Sequence, residues 1–398
     1  MTKLAEKTKL IKPSVTLAIA AKAGKLRAEG IDVVNFSAGE PDFDTPERIK
    51  AAAIEALRKG MTKYTDVKGI EPLREAITAK YQREHGLAYR KEDVLVSCGA
   101  KHSIYNVLQA IVNPGDEVVI PAPYWVSYSD MALLAGGVPR LIATDESTGF
   151  RIRAEQLRAA LTPKTRVFLI NSPCNPTGAT YGRDELLAIA GVLEKHDCLI
   201  LADDIYEKIV YDGFEVRNIV TLCPALRDRT IIVNGVSKTY AMTGWRIGYA
   251  LGPSDIIAAA TKIQSQSTSN PTSIAQAAAL EAIRGSQEEV PIMVDEFHKR
   301  RDVIVDNLNA IHGIRCLKPE GAFYVFPNIG ELLGKTTNGK ELRSPCDLAD
   351  YLLEEAKVAG VPGEDFGSQE HIRFSYATSL EDIEKGCLRI RDAVAKLS

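Results

Sequence analysis

The sequence carries almost no excess charge. Its 49 Lys and Arg against 52 Asp and Glu leave a formal charge of −3, which argues against a general nucleic-acid binder. Seven cysteines (Cys98, Cys174, Cys198, Cys223, Cys316, Cys346 and Cys387) are an odd number and form no C-x-x-C pair. They read as free thiols rather than a disulfide framework. Six scattered histidines, with no H-x-x-x-H spacing and no Cys/His cluster, argue against a structural zinc site. No run approaches the ~18 apolar residues that a membrane-spanning helix requires. The apolar stretch Val15 to Ala21 follows several lysines, yet it contains Thr16 and ends at Lys22. It lacks the core and cleavage site of a signal peptide, so a cytoplasmic location is the expectation. No G-x-G-x-x-G follows a strand, which leaves a dinucleotide cofactor without support. Gly334 to Lys340 imitates a phosphate-binding loop, but Glu341 replaces the required Ser or Thr and no clear strand precedes it.

What is present is the ordinary soluble mixture, 45% hydrophobic and 25% charged over 398 residues, enough for one large core and a smaller one. Helical stretches alternate with short β-rich runs, the pattern of a mainly parallel sheet covered by helices. The spacing predicts helices over Ile49–Arg58, with Pro46 just inside the start, over Glu71–His85, ending at Gly86, and over Asp184–His196. Strands are predicted at Asp93–Ser97, Glu117–Ile120, Val167–Ile170, Leu199–Ala202 and Thr230–Val233. After Pro291 the texture changes. A long charged helix, Met293 to Ile311, precedes a strand at Gly321–Phe326, a flexible loop at Gly330–Ser344 and a strand at Ile372–Ser375. This predicts a smaller α+β domain.

Four of the predicted strand ends carry polar residues suited to one ligand. Ser237-Lys238 follows Thr230–Val233, and Arg246 comes eight residues later in a glycine-flanked turn. A lysine just past a strand end can form a Schiff base with a cofactor carbonyl, while Ser237 and Arg246 can hold a phosphate. Asp203 and Tyr206 follow Leu199–Ala202; the acid can pair with a protonated pyridine nitrogen and the phenol can reach a ring hydroxyl. Asn175, in Asn171-Ser-Pro-Cys-Asn-Pro-Thr-Gly178, can donate to the same ring oxygen. Ser97-Cys98-Gly99-Ala100-Lys101 opens a helix whose backbone N–H groups can cradle a phosphate. Singly, a Ser-Lys pair is usually a surface lysine, D-x-x-Y is core plus surface, and N-P-x-G is a turn. Together they converge on one phosphate-bearing ring.

These segments, with Ser37 to Pro46, Pro123-Tyr-Trp125-Val-Ser-Tyr128 and Met242 to Gly248, resemble the class I pyridoxal-phosphate aminotransferases, and most of all the bacterial aspartate aminotransferase subgroup with prephenate-accepting members. The likeness runs from about Lys12 nearly to the C-terminus. It implies a fold-type I α/β transferase with a large cofactor domain over 46–290 and a small domain made of 1–45 and 291–398. It implies pyridoxal 5'-phosphate bound to Lys238, with Asp203 at the ring nitrogen, Tyr206 and Asn175 at the ring oxygen and Trp125 stacked on the ring. Ser237, Arg246 and the amides of Gly99, Ala100 and Lys101 would hold the phosphate. Tyr64 matches a tyrosine that reaches the neighbouring subunit's phosphate, so a homodimer is implied. Arg373 and the backbone of Gly39 would hold the substrate α-carboxylate.

Gln264 to Gln276, matching the segment where animal-type enzymes carry a distal-carboxylate arginine, has no arginine. The resemblance assigns that task to Lys101, with Lys12 and Thr16 completing the entrance; a plainly packed N-terminal segment is the alternative for those two. The implied substrates are aspartate, glutamate and their oxo acids (oxaloacetate and 2-oxoglutarate), extending to prephenate as an acceptor that yields arogenate. The rivals are an aminotransferase for aromatic or aliphatic amino acids, a pyridoxal-phosphate lyase on the same fold, and a non-catalytic regulator. The last would need a DNA-binding module for which the chain shows no basic segment.

Overall fold

The computed structural model describes residues 3–398 other than Lys12, Ser14 and Asn338, and only the backbone of residues 15–17 and 20. Seven strands form its central sheet: β1 (Val94–Ser97), β2 (Glu117–Ala122), β3 (Val138–Ala143), β4 (Thr165–Asn171), β5 (Leu199–Asp203), β6 (Thr230–Gly235) and β7 (Gly248–Leu251), in the order β1-β7-β6-β5-β4-β2-β3. β7 pairs antiparallel with both β1 and β6, and the other pairs are parallel. Successive side chains point to opposite faces, so Leu199 and Leu201 pack with helix Ala100–Ile111 on one side. Ile200 and Ala202 pack with helices Glu71–His85 and Arg183–Leu193 on the other. Burial on both faces explains why β5 reads as an unbroken apolar run.

The five predicted strands are present, most of them longer at the C-terminal end. β3 and β7 escape sequence reading for different reasons. β3 is an edge strand holding Pro139 and a mostly exposed pattern, which an edge tolerates. β7 begins at Gly248, inside what reads locally as a turn. Helix Glu71–His85 has the predicted bounds, and Gly86 caps it at φ 68°. Pro46 stands outside helix Glu47–Arg58 rather than inside it: its ψ of 141° is extended, and its carbonyl accepts the first-turn N–H groups of Ile49 and Lys50. The charged helix spans Glu289–Asn309, not 293–311. The predicted strand at Gly321–Phe326 shrinks to Tyr324–Val325. The expected loop at Gly330–Ser344 instead holds a turn and a small hairpin, Thr336–Thr337 with Lys340–Glu341, bonded to the carbonyl of Ser398 through Thr336 N–H at 2.8 Å.

Beyond the central sheet, Ile372–Ser375 lies between Val361–Pro362 and Tyr324–Val325 in an antiparallel sheet. Its core joins Phe297, Phe323, Phe374 and Ile390 to Val34 and Phe36 from the N-terminal side. Val34–Asn35 pairs with Val358–Ala359, drawing the early segment onto the late one.

Candidate active site

Because β7 alone in the sheet runs against its neighbours, the C-terminal ends of β1, β4, β5 and β6 share one edge, where α/β sheets present ligand sites. A cavity of about 440 Å³ opens there, lined by residues from all four ends and by Gly39, Tyr324 and Arg373.

Lys238 enters from the turn after β6. Its Nζ donates to the Gly39 carbonyl. Burial pulls its ammonium down to about 8; Glu40 opposes that shift, while Arg373 and Arg246 add to it. Asp203 ends β5 and is buried. The Tyr128 hydroxyl donates to its Oδ2 at 2.6 Å and the Ile205 N–H to its Oδ1 at 3.2 Å. Burial nevertheless pushes this carboxyl up to about 6, the Tyr128 bond opposing. A buried acid raised in this way is suited to a cationic partner.

Asn171 ends β4 and braces both neighbours: its Nδ2 donates to the Asp203 carbonyl at 2.8 Å, and its Oδ1 accepts from the Asn175 N–H at 3.0 Å. Asn175 Oδ1 accepts from Arg373 Nη1 at 2.9 Å, which leaves its NH2 as the end free to donate to a ring oxygen. Arg373 Nη2 donates to the Ser37 carbonyl at 2.9 Å, and the guanidinium lies over the Tyr324 ring at 4.5 Å. Its Nε is buried without a partner among the described residues, and each terminal nitrogen keeps a second N–H. Such unmet buried donors call for an anion. Tyr206 shares a 2.9 Å hydrogen bond with Tyr324, and burial lifts its phenol well above the ordinary range.

Around the expected phosphate cradle, the structure differs from expectation in one detail. Gly99 does not offer its amide to the cavity, because that N–H turns back to the Ser97 carbonyl at 2.7 Å. At φ 89° Gly99 admits the Arg246 guanidinium where a Cβ would stand. Ala100 and Lys101 open the helix and line the cavity, so their N–H groups are the available donors. A Cβ on Gly248 would overlap the backbone of Gly99 and Ala100, so glycine at the start of β7 lets the cradle sit this close. Arg246 is fixed by the carbonyls of Thr243 and Cys98 at 2.8 and 3.2 Å. Ser237 lines the same cavity. Trp125 stands edge-on to Tyr128, with Lys101 Nζ 4.8 Å from its ring centre.

The model of the family described as aminotransferase class I and II matches residues 31–390. The chain belongs to the class I and II aminotransferases. A Cereibacter sphaeroides aspartate/prephenate aminotransferase is 52% identical over 98% of each chain, and a probable aspartate/prephenate aminotransferase of Rickettsia bellii is 50% identical over 97% of this chain and 98% of its own. The crystal structure of an aspartate aminotransferase from Rhizobium meliloti superposes with a TM-score of 0.96 at 48% identity, covering 100% of both chains. That of the Thermus thermophilus aspartate aminotransferase with maleate gives 0.93 at 42%, over 99% of this chain and 100% of that one. The fold is that of these aminotransferases.

Of the expected residues, Tyr64 lies outside this aminotransferase cavity. Tyr64 is 91% exposed, on the loop between helices Glu47–Arg58 and Glu71–His85, and does not line its own chain's site. Lys12 lies outside the described residues. Thr16 is described only by its backbone, within helix Val15–Ala28. Conversely, sequence reading gave no role to Tyr128, Asn171 or Tyr324. Tyr128 was recoverable, one helical turn after Trp125. Tyr324 had no local signal, being an alternating residue of a short strand.

Proposed function

We propose that this aminotransferase uses pyridoxal 5'-phosphate to move an amino group reversibly between aspartate and 2-oxoglutarate, forming oxaloacetate and glutamate in a ping-pong cycle, and that it also accepts prephenate. One observation carries the reading: a half-buried lysine, a buried carboxylate and a buried arginine with an unmet donor line a single cavity. Its volume suits a small phosphorylated cofactor and a substrate together.

Asp203 would hold the ring nitrogen, Asn175 and Tyr206 the ring oxygen, and Trp125 the ring face. Ser237, Arg246 and the Ala100 and Lys101 amides would hold the phosphate. When bound, the cofactor supplies an electron-withdrawing ring that accepts the electrons released at the substrate α-carbon. Lys238 would carry the covalent attachment to the cofactor and would hold a neutral Nζ beside the substrate α-carbon as a positioned base. Its lowered ammonium makes that neutral form available near neutral pH. Arg373 binds the α-carboxylate through a planar fork, fixing which α-bond faces Lys238.

Lys101 at the rim, over Trp125, is the cation for the distal carboxylate. A flexible ammonium accepts dicarboxylates of different shape better than a rigid guanidinium. That the Thermus relative was solved with maleate, a dicarboxylate, supports this choice. The proposal includes a homodimer, in which Tyr64 serves a neighbour's phosphate, and a cytoplasmic location. No described helix is long and apolar enough to cross a membrane. It also includes a division into 46–290 and 1–45 plus 291–398, supported by the separate core around Phe297 and Phe374.

Steady-state assays of an amino-donor panel against 2-oxoglutarate, and of acceptors against aspartate, test the reading. Oxaloacetate formation is the expected result. Turnover confined to aromatic or aliphatic donors, or product formation without an acceptor, would replace it by one of its rivals.

A further inference from the structure

Behind the cradle lies a fully hydrogen-bonded glutamine. Gln264, near the end of helix Ser254–Ser265, is completely buried. Its Oε1 accepts from the Ser97 hydroxyl at 2.7 Å and from Asn106 Nδ2 at 2.9 Å. Its Nε2 donates to the carbonyls of Val67 and Val96 at 2.8 and 2.9 Å. All four positions of the amide are used, and the two carbonyls fix which end carries the hydrogens. A carboxylate here would oppose both carbonyls, and an apolar side chain would fill the space while stranding four polar groups, three of them buried.

The amide therefore joins two segments that no local sequence connects. One is the end of β1, two residues before Gly99. The other is the loop carrying Tyr64. Gln276, equally buried, grips that loop elsewhere, donating to Thr65 Oγ1 at 3.1 Å and accepting the Ile70 N–H at 2.7 Å. Tyr64 is thus an exposed side chain on a loop held by buried amides, and a phenol presented in this way is set for a contact outside its own chain.

We infer that Gln264 is a positioning residue for two phosphate sites at once. Through Ser97 and Val96 it sets the Ala100–Lys101 cradle of its own chain. Through Val67 it sets the loop that offers Tyr64 to the cradle of a second copy. The inference rests on the cofactor and dimer of the preceding reading.

Pyridoxal phosphate titrated into the apoenzyme, followed by cofactor absorbance and protein fluorescence, tests it on wild type, Ser97→Ala, Tyr64→Phe, Gln264→Met and the Gln264→Met/Tyr64→Phe double variant. The dissociation constant should rise about threefold for Ser97→Ala and at least about tenfold for Gln264→Met, the scale of one and of several net hydrogen bonds. Tyr64→Phe should cost less on the Gln264→Met background than on wild type, because the loop is already displaced. If Gln264→Met does not fold, Gln264→Asn, which keeps an amide but shortens its reach, takes its place in the cycle. Unchanged affinity in the Ser97 and Gln264 variants, even with a lower melting temperature, overturns the inference. So does a Tyr64→Phe penalty that ignores residue 264. A wild-type protein that fails to bind the cofactor would instead sink the preceding reading.

Discussion

The Tyr128 hydroxyl donates to Asp203 Oδ2 at 2.6 Å, with both groups buried. That bond opposes the burial that lifts the carboxyl to about 6. Tyr128→Phe should raise the carboxyl further and move the pH at which cofactor affinity develops upward from about 6. The affinity–pH curve measures this, and an unmoved midpoint would detach Tyr128 from the role of Asp203.

Asp203 itself should trade stability for function. Its folded-state carboxyl sits near 6 against an ordinary value of 3.8. The resulting cost to the apoenzyme is absent below pH 4, grows as pH rises toward 6 and is complete above it. Asp203→Asn should therefore stabilise the apoenzyme by up to about 3 kcal/mol at pH 8 and not at pH 4, while transamination falls by orders of magnitude. Melting curves at the two pH values decide it.

Lys238 must be neutral to attack an aldehyde, so the cofactor loading rate should climb with pH through about 8. Borohydride treatment of the loaded protein should add the cofactor mass to the peptide containing residue 238. Lys238→Ala should lower turnover by more than about 10³-fold. An unlabelled peptide from loaded protein would contradict the assignment.

Arg373→Lys keeps the charge and removes the planar fork. Loss of one charged hydrogen bond predicts a fall of about 10–100-fold in kcat/KM for every amino donor alike. Selective loss for one donor class would place Arg373 at the side chain rather than the α-carboxylate.

Lys101→Ala should separate the substrates. Aspartate and glutamate should lose about 10–100-fold in kcat/KM, and phenylalanine far less. Equal losses would contradict the assignment of the Lys101 ammonium to the distal carboxylate.

Much of the site was legible because each part is local. Asp203, Asn175, Lys238 and the Gly99 turn all follow β-rich runs, and a strand's direction determines where its last residues emerge. The miss at Gly99 was equally local in scale: residue type revealed the turn, but not which amide it would consume. β3 and β7 were illegible because an edge position and a glycine start erase the pattern that buried strands show. Pro46 fell outside its helix because proline is compatible with both sides of that boundary.

The chain's chemistry, its run of helices and strands and the ends from which the polar residues emerge were written into short windows of sequence, where backbone preference and apolar spacing act over a few residues. The meeting of Arg373 with Asn175 across 198 residues, of Tyr206 with Tyr324 across 118 and of Gln264 with Val67 across 197 was decided only by the tertiary structure. Those contacts depend on how separate layers pack, and no local spacing encodes the distance between two layers.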